Sequence, residues 1–189
     1  MTQDDPTELN AIARRCWHEL TRAARHASHP WHTPVVATAT AAGPSARTVV
    51  LREADADRRT LVLHTDRRSR KADELARDER LAWVFWDPRK RVQLRCRGPV
   101  NRHAGDAVAG EAWADLGARS RALYASPLAP GAALADNPRP AIRDDGFAHF
   151  MVLVCRVEHI DWLKLDRDRH RRAHIHWRGD DWRAEAVAP

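Results

Sequence analysis

Residues 60 to 78 read Thr60-Leu-Val-Leu-His64-Thr65-Asp66-Arg67-Arg68-Ser69-Arg70-Lys71-Ala72-Asp73-Glu74-Leu75-Ala76-Arg77-Asp78, and one kind of chain gives way to another within them. Thr60 to His64 is a short apolar run of strand type. Arg68 to Asp78 is polar but carries Ala72, Leu75 and Ala76 at helical spacing, which predicts a short helix. At the junction, hydroxyls, cations and the free N–H groups of a first helical turn converge. A helix N-terminus carries partial positive charge and unsatisfied donors, so the junction is suited to a phosphate group. Taken alone, the segment also reads as a solvated charge run at a turn.

Working outward, further β-type runs occupy Thr33 to Thr40, Arg47 to Arg52, Leu81 to Trp86 and Arg91 to Arg97, divided by Gly, Pro, Asp and Arg clusters. Strands so closely spaced predict a barrel or meander. Before them, Asp5-Pro6-Thr7-Glu8 reads as a helix start with Asp5 as N-cap and Glu8 completing a capping box. Leu9, Ile12, Ala13, Cys16, Trp17, Leu20 and Ala24 then recur at helical spacing, and the helix should end near His29-Pro30. Ala104 to Ala125 predicts one or two helices, and Ser126 to Pro140 a Pro-rich loop lying over the domain. Phe147 to Ile160 is one long β-type run, followed after a charged turn by strands at His170 to Trp177 and Trp182 to Val187. The fold class expected is mainly β with flanking helices. A single domain over 1–189 is expected, made of an N-terminal helix (1–29), motif-bearing strands (33–103), a helical and Pro-rich region (104–140) and C-terminal strands (147–189).

Composition narrows the classes. A chain of 189 residues with 43% hydrophobic content can bury one substantial core. Its three cysteines, Cys16, Cys96 and Cys155, are far apart and form no C-x-x-C pair, which suggests neither a disulfide framework nor a zinc knuckle and fits a reducing compartment. The acidic, polar N-terminus lacks the features of a signal peptide, and no stretch approaches the roughly 20 apolar residues of a membrane span. A soluble, cytoplasmic protein without membrane contact is expected. Thirty-two Lys and Arg against 26 Asp and Glu give a formal charge of +6, which permits a phosphate-bearing or nucleic-acid partner but does not choose one.

Two flanking segments share the logic of the first. In Arg47-Thr48-Val49-Val50-Leu51-Arg52, strand alternation sends Arg47, Val49 and Leu51 to one face and Thr48, Val50 and Arg52 to the other. An arginine at the strand's start can grip a phosphate bidentately. In Arg91-Val92-Gln93-Leu94-Arg95, Gln93 faces away from Val92 and Leu94 and offers both a donor and an acceptor, which suits the edge of a flavin ring.

Together the three segments resemble the pyridoxamine 5′-phosphate oxidase-like FMN-binding split barrels, whose motifs run R-x-V-x-L-K/R, then Y/H-T-x-x-x-S-R-K, then R-x-Q-x-R. Here they stand as Arg47 to Arg52, His64 to Lys71 and Arg91 to Arg95. The likeness continues through Ile160-Asp161-Trp162-Leu163, His170-Arg171-Arg172 and the ending Val187-Ala188-Pro189, and so covers nearly all the chain after Thr33. It implies an FMN-binding split β-barrel that forms a homodimer, with FMN at the subunit interface and a small-molecule substrate. By the same resemblance, Arg47, Ser69, Arg70 and Lys71 would hold the phosphate with Thr65 nearby. Thr48, Val49, Val50 and His64 would line the cofactor, and Gln93 would contact the ring. Trp162 and Arg172 would reach the flavin from the partner subunit. Arg52 and His170 stand where the family contacts substrate.

The match breaks in two places. Asp168-Arg169-His170-Arg171-Arg172 stands where the oxidases have R-x-H-D-R, so a carboxylate replaces an arginine that would attract a substrate phosphate. The first motif ends in Arg52 rather than lysine. The resemblance is therefore to the oxidase-related branch, with substrate and electron acceptor unassigned and the roles of Arg119, Arg121 and Tyr124 open. An FMN-dependent oxidase or reductase is the leading expectation. A non-catalytic flavin-binding or haem-handling member of the fold is the alternative. A basic nucleic-acid-binding barrel is disfavoured because no aromatics interleave with the arginines in a stacking pattern. His26, His29 and His32, and His174 with His176, read as surface histidines, since no carboxylate or cysteine completes either group at usual spacing, and no metal site is expected.

Overall fold

The computed structural model describes residues 6–133 and 146–189. Helix α1 (Pro6–Arg25) comes first, then strands β1 (Val35–Thr40), β2 (Gly43–Thr48), β3 (Glu53–Asp55) and β4 (Thr60–Asp66). Helix α2 (Arg70–Arg77) leads into β5 (Arg80–Asp87) and the long β6 (Val92–His103), and two short helices follow, α3 (Ala107–Ala114) and α4 (Ala118–Arg121). A 3-10 turn at Phe147–His149 opens β7 (Phe150–Arg156), β8 (His159–Lys164), β9 (Arg171–Arg178) and β10 (Asp181–Val187). The architecture is mainly β with flanking helices, as expected. The capping box rests on Asp5, and residues 134–140 of the Pro-rich segment follow the same case; both lie outside the described residues. No helix among the described residues is long and apolar enough to cross a membrane.

All strand pairs are antiparallel, and β6 organises them. Its first half, Val92 to Arg97, pairs with β5 on one side and β8 on the other, giving the order β10-β9-β8-β6-β5-β1-β2. Its second half, Val100 to His103, pairs with β7, which continues to β4 and β3. One strand thus belongs to both walls of the split barrel. At the changeover stands Gly98, where a Cβ would lie 1.8 Å from the carbonyl oxygen of Arg156, so only glycine lets the two backbones cross.

Alternation sets two faces on the larger wall. Trp83, Phe85, Leu94, Cys96, Ile160, Ala173 and Ile175 point inward and are almost fully buried. Helix α1 closes that side: Leu9, Ile12, Cys16, Trp17 and Leu20 form its buried stripe, and it packs against β3 and β10. Each such side chain contributes about 1.5–3 kcal/mol by leaving water. The opposite, outer face carries Val84, Trp86, Gln93, Arg95, Asp161, Leu163 and Arg172.

Strand β6 runs six residues beyond the expected Arg97, β3 is not among the expected strands, and three further boundaries differ from the sequence reading for local reasons. Helix α1 ends at Arg25, four residues early, because the histidines beyond it bond in other ways: the His32 ring bonds the Ala23 carbonyl at 2.7 Å, and His29 meets Glu19 at 3.2 Å. The run Arg47 to Arg52 is strand only to Thr48. Beyond it the chain crosses from β1 to β4, with Val49 N–H donating to Pro34, Leu51 to His32 and Arg52 to Val62. The run Phe147 to Ile160 is two strands. It breaks where Val157 N–H turns to Arg59 and Glu158 N–H to Arg97, as the chain passes from one wall to the other.

Candidate functional site

Strand β4 ends and α2 begins around a compact group of donors. Lys71 Nζ donates to Thr65 Oγ1 at 2.9 Å and reaches Ser69 Oγ at 3.4 Å, while the two hydroxyls lie 3.1 Å apart. Ser69 is the N-cap residue of α2, yet its hydroxyl makes no capping bond to the helix and stays turned toward Lys71. The turn before it is held from behind by Asp66, whose buried carboxylate accepts from Arg68 Nε and Nη2 at 3.0 and 2.7 Å. Arg68 in turn bonds the carbonyls of Ser126 and Pro127, which pins the following loop to this turn. Burial, and then the Arg47 guanidinium beside it, lower the pKa of Lys71, so its charge stands there at a cost that an anion would offset. The donor set fits a phosphate: one ammonium, two hydroxyls and a helix N-terminus, with the exposed Arg70 at the helix's first position.

Arg47 reaches the same place from β2, but it is already paired. Its guanidinium donates to Glu74 at 2.8 Å, to Ser45 Oγ at 2.7 Å and to Thr38 Oγ1 at 2.5 Å, and Thr38 also donates to Glu74. Burial works against the Glu74 charge, but the bonds from Thr38 and Arg47 prevail and lower its pKa. The buried Thr38–Glu74 pair was not singled out in the sequence, although Thr38 falls on the inward parity of β1 and Glu74 lies one helical turn after Lys71. It fixes the arginine at the rim of the donor group.

Next to this rim, His64 lies against Phe150 with ring centroids 4.9 Å apart, and its buried Nδ1 finds no hydrogen-bond partner among the described residues. Burial, then the neighbouring Arg52 charge, hold His64 at about 4. Tyr124 belongs to the same neighbourhood: burial raises its pKa, Arg52 lowers it, and its ring packs on Phe150 at 5.0 Å. A histidine kept neutral in the native state protonates first in the unfolded chain, so it stabilises fully above about pH 6.5 and loses this as pH falls toward 4. Unfolding free energies from urea titrations at pH 7 and pH 4.5 should differ by about 2–3 kcal/mol more in the native sequence than in His64→Gln. Equal differences would refute this origin of acid sensitivity.

Other site candidates lie on the outer sheet face. Gln93 pairs with Leu163, which pairs with Arg172, so these three form one row across β6, β8 and β9, with Trp86 completing it on β5. One step along, the buried Asp161 takes Arg172 at 3.0 and 2.8 Å and also Arg95. Burial opposes its charge, but the hydrogen bonds from Arg172 and Arg95 dominate and hold it at about 2.

Trp162 does not join this row. By strand parity it pairs with Leu94 and Ala173 on the inner face and borders a cleft of about 610 Å³ beside α1. Thr48 is exposed at the end of β2, while Val49 and Val50 are half-buried in the crossover. His170 is exposed in the loop 165–170. Within one chain, therefore, Thr65, Ser69, Lys71 and Arg47 come together, Arg52 and His64 adjoin each other, and Gln93 and Arg172 share the outer face. Arg121 is spent on the carbonyls of Trp113 and Ala114, and Arg119 is exposed.

A sequence model of the family described as pyridoxamine 5′-phosphate oxidase, FMN-binding domain, matches residues 14–104, which include the donor group and Gln93. A pyridoxine/pyridoxamine 5′-phosphate oxidase from Anaeromyxobacter dehalogenans is 31% identical, the match spanning 90% of this chain and 91% of that protein. The chain belongs to the pyridoxamine 5′-phosphate oxidase-like family. Solved structures agree on the fold. A pyridoxamine 5′-phosphate oxidase-related, FMN-binding protein from Nostoc punctiforme superposes with a TM-score of 0.77 at 23% identity, over 93% of this chain and 97% of that one. PhzG from Burkholderia lata, solved with tetrahydrophenazine-1-carboxylic acid, gives 0.74 at 20% identity, over 98% and 95%. The family's split-barrel fold thus extends through β7 to β10, beyond the residues that the family model matches.

Proposed function

We propose that this member of the pyridoxamine 5′-phosphate oxidase-like family binds FMN and acts as a flavin-dependent oxidoreductase on a small molecule. The observation that carries the reading is the convergence of Lys71 Nζ on the Thr65 and Ser69 hydroxyls at the start of α2, with Arg47 beside them. Lys71, Thr65, Ser69 and Arg70 hold the phosphate, and Arg47 borders it, oriented by Glu74 and Thr38. Thr48, Val49 and Val50 follow Arg47 along the chain and line the cofactor, with His64 next to Thr65. Gln93 offers its amide to the ring edge. When bound, the flavin supplies the electron transfer that no side chain here provides. The chain's residues bind it, orient it and shield one side from water.

We further propose a homodimer joined through the outer sheet face. Val35 and Trp86 are exposed there, with Val84 between them by register, and a single sheet face carrying exposed tryptophan and valine beside charged residues suits an interface. In the dimer, Leu163 and Arg172 of one subunit face the flavin bound by the other, with Asp161 fixing the arginine. Leu163 takes the outer-face position that the family resemblance gives to Trp162. Arg52 and His170 remain the substrate contacts, with Tyr124 added beside Arg52. Asp168, exposed in the loop before His170, disfavours a phosphate there, so the substrate is best sought among both phosphorylated and uncharged donors. Three free, buried cysteines suit the reducing cytoplasm.

Two measurements test this. Light scattering should give a dimer for the native sequence and a monomer for Trp86→Asp, with FMN affinity at least about tenfold weaker in the monomer. A native monomer that binds FMN fully would overturn the interface. Anaerobically, a donor of the pyridoxine or pyridoxamine type, phosphorylated or not, should bleach the bound flavin, and air should restore it. No bleaching by any of them would contradict the oxidoreductase part and leave cofactor binding intact.

A further inference from the structure

Away from the phosphate group, three histidines meet at one end of the outer sheet face, two to four residues along β8 and β9 from the Leu163–Arg172 row that faces the partner's flavin in the proposed dimer. His159 on β8 and His176 on β9 are register partners, and His174 stands two residues along β9 on the same face. Their ring centroids are 4.4 Å (His159–His176), 5.4 Å (His159–His174) and 6.2 Å (His174–His176) apart. One ligand nitrogen from each lies within 4.8 Å of those of the other two. We propose that His159, His174 and His176 form a site for one first-row divalent transition ion, zinc fitting best, with the fourth coordination position open to water or an added ligand.

The geometry and the donor chemistry carry this. Zinc takes imidazole nitrogens at about 2.0–2.1 Å in tetrahedral array, which puts the nitrogens about 3.4 Å apart. The remaining approach of little more than 1 Å is within reach of ring rotation, because all three side chains are half-buried rather than packed solid and histidine χ2 is a soft torsion. A purely imidazole set selects zinc, copper, nickel or cobalt over magnesium and calcium. Carboxylates lie near two of the rings: Asp161 Oδ2 is 3.8 Å from His174 Nε2, and Glu185 Oε1 is 3.9 Å from His176 Nε2. At these distances the carboxylates are not hydrogen-bonded to the rings, and they add negative charge beside the cluster that favours a cation. Arg97, the register partner of His159, and Arg95, bound to Asp161, act against a cation, so the expected affinity is moderate.

The test is equilibrium dialysis of the chelator-stripped, FMN-treated protein against Zn2+. The site predicts about one zinc per chain with a Kd in the micromolar range. His159→Gln and His176→Gln should each weaken it at least about 30-fold, while His26→Gln, an exposed histidine elsewhere, should leave it unchanged. Imidazole nitrogen NMR of the unaltered protein guards against variants that fail to fold: Zn2+ should shift the resonances of His159, His174 and His176 together. Absence of saturable binding below about 100 µM, full zinc uptake by the His159→Gln/His176→Gln double variant, or shifts confined to other histidines would each overturn the proposal.

Discussion

Replacing Lys71 by alanine is expected to weaken FMN binding by about 10- to 150-fold while leaving the cofactor-free protein at least as stable as before. A hydrogen bond from a charged group contributes about 1.5–3 kcal/mol, and Lys71 offers the one ammonium in direct contact with both the Thr65 and Ser69 hydroxyls. Without an anion, that ammonium is held half-buried beside Arg47, an arrangement that lowers its pKa and costs the apo protein stability. Removing it relieves that cost. Arg47→Ala should behave in the opposite way. Arg47 is neutralised by Glu74, so FMN affinity falls less, but the change strands a buried carboxylate and destabilises the fold by about 3 kcal/mol. Fluorescence titration with FMN and urea unfolding on the same two variants separate these roles. Equal losses of affinity, with stability unmoved in both, would show that the two cations are interchangeable and the pairing with Glu74 incidental.

The second large effect concerns the fold itself. Gly98→Ala should destabilise the protein by about 3–5 kcal/mol, enough that little folded protein is recovered. The added Cβ meets the Arg156 carbonyl oxygen at 1.8 Å, its carbon at 2.8 Å and Glu158 N at 3.3 Å, all of them backbone. These atoms cannot step aside. Val157 N–H is bonded to Arg59 and Glu158 N–H to Arg97, which are the bonds that carry the chain between the two walls. Gly110→Ala, inside α3 with open space around it, is the matched control and should be neutral or stabilising by up to about 1 kcal/mol. Urea midpoints compare the two. A near-neutral Gly98→Ala would mean that β6 does not cross the β7–β8 connection as closely as described.

How far the sequence could be read follows from which interactions are local. The junction at Ser69 was legible because a strand-to-helix change, its cap residue and its cations all lie within eight residues, and Gln93 was placed on the right face because alternation needs only its two neighbours. The inner stripe of α1 emerged from spacing alone. What escaped depends on partners far along the chain. Nothing near Arg47 reveals that Glu74 will claim it, and nothing near Arg172 reveals Asp161, because each pair forms only when strands or helices distant in sequence are laid side by side. Trp162 against Leu163 turned on the parity of one strand, where a single residue's shift exchanges inner and outer faces. The break after Arg156 was hidden by composition, since Phe150 to Cys155 is apolar on both faces and the run reads as unbroken strand. His174 and His176 looked incomplete as ligands for the same reason: His159 joins them across a strand pair, at a spacing that no linear motif records.

The central claim is that the group formed by Thr65, Ser69 and Lys71 exists for the phosphate of FMN. The most direct measurement is a titration of the cofactor-stripped protein with FMN and, separately, with riboflavin, which carries the same ring without the phosphate. The account predicts about one FMN per chain at micromolar affinity or tighter, riboflavin at least about 100-fold weaker, and no such discrimination in Lys71→Ala. Equal affinity for the two flavins, or failure to bind either, would contradict it.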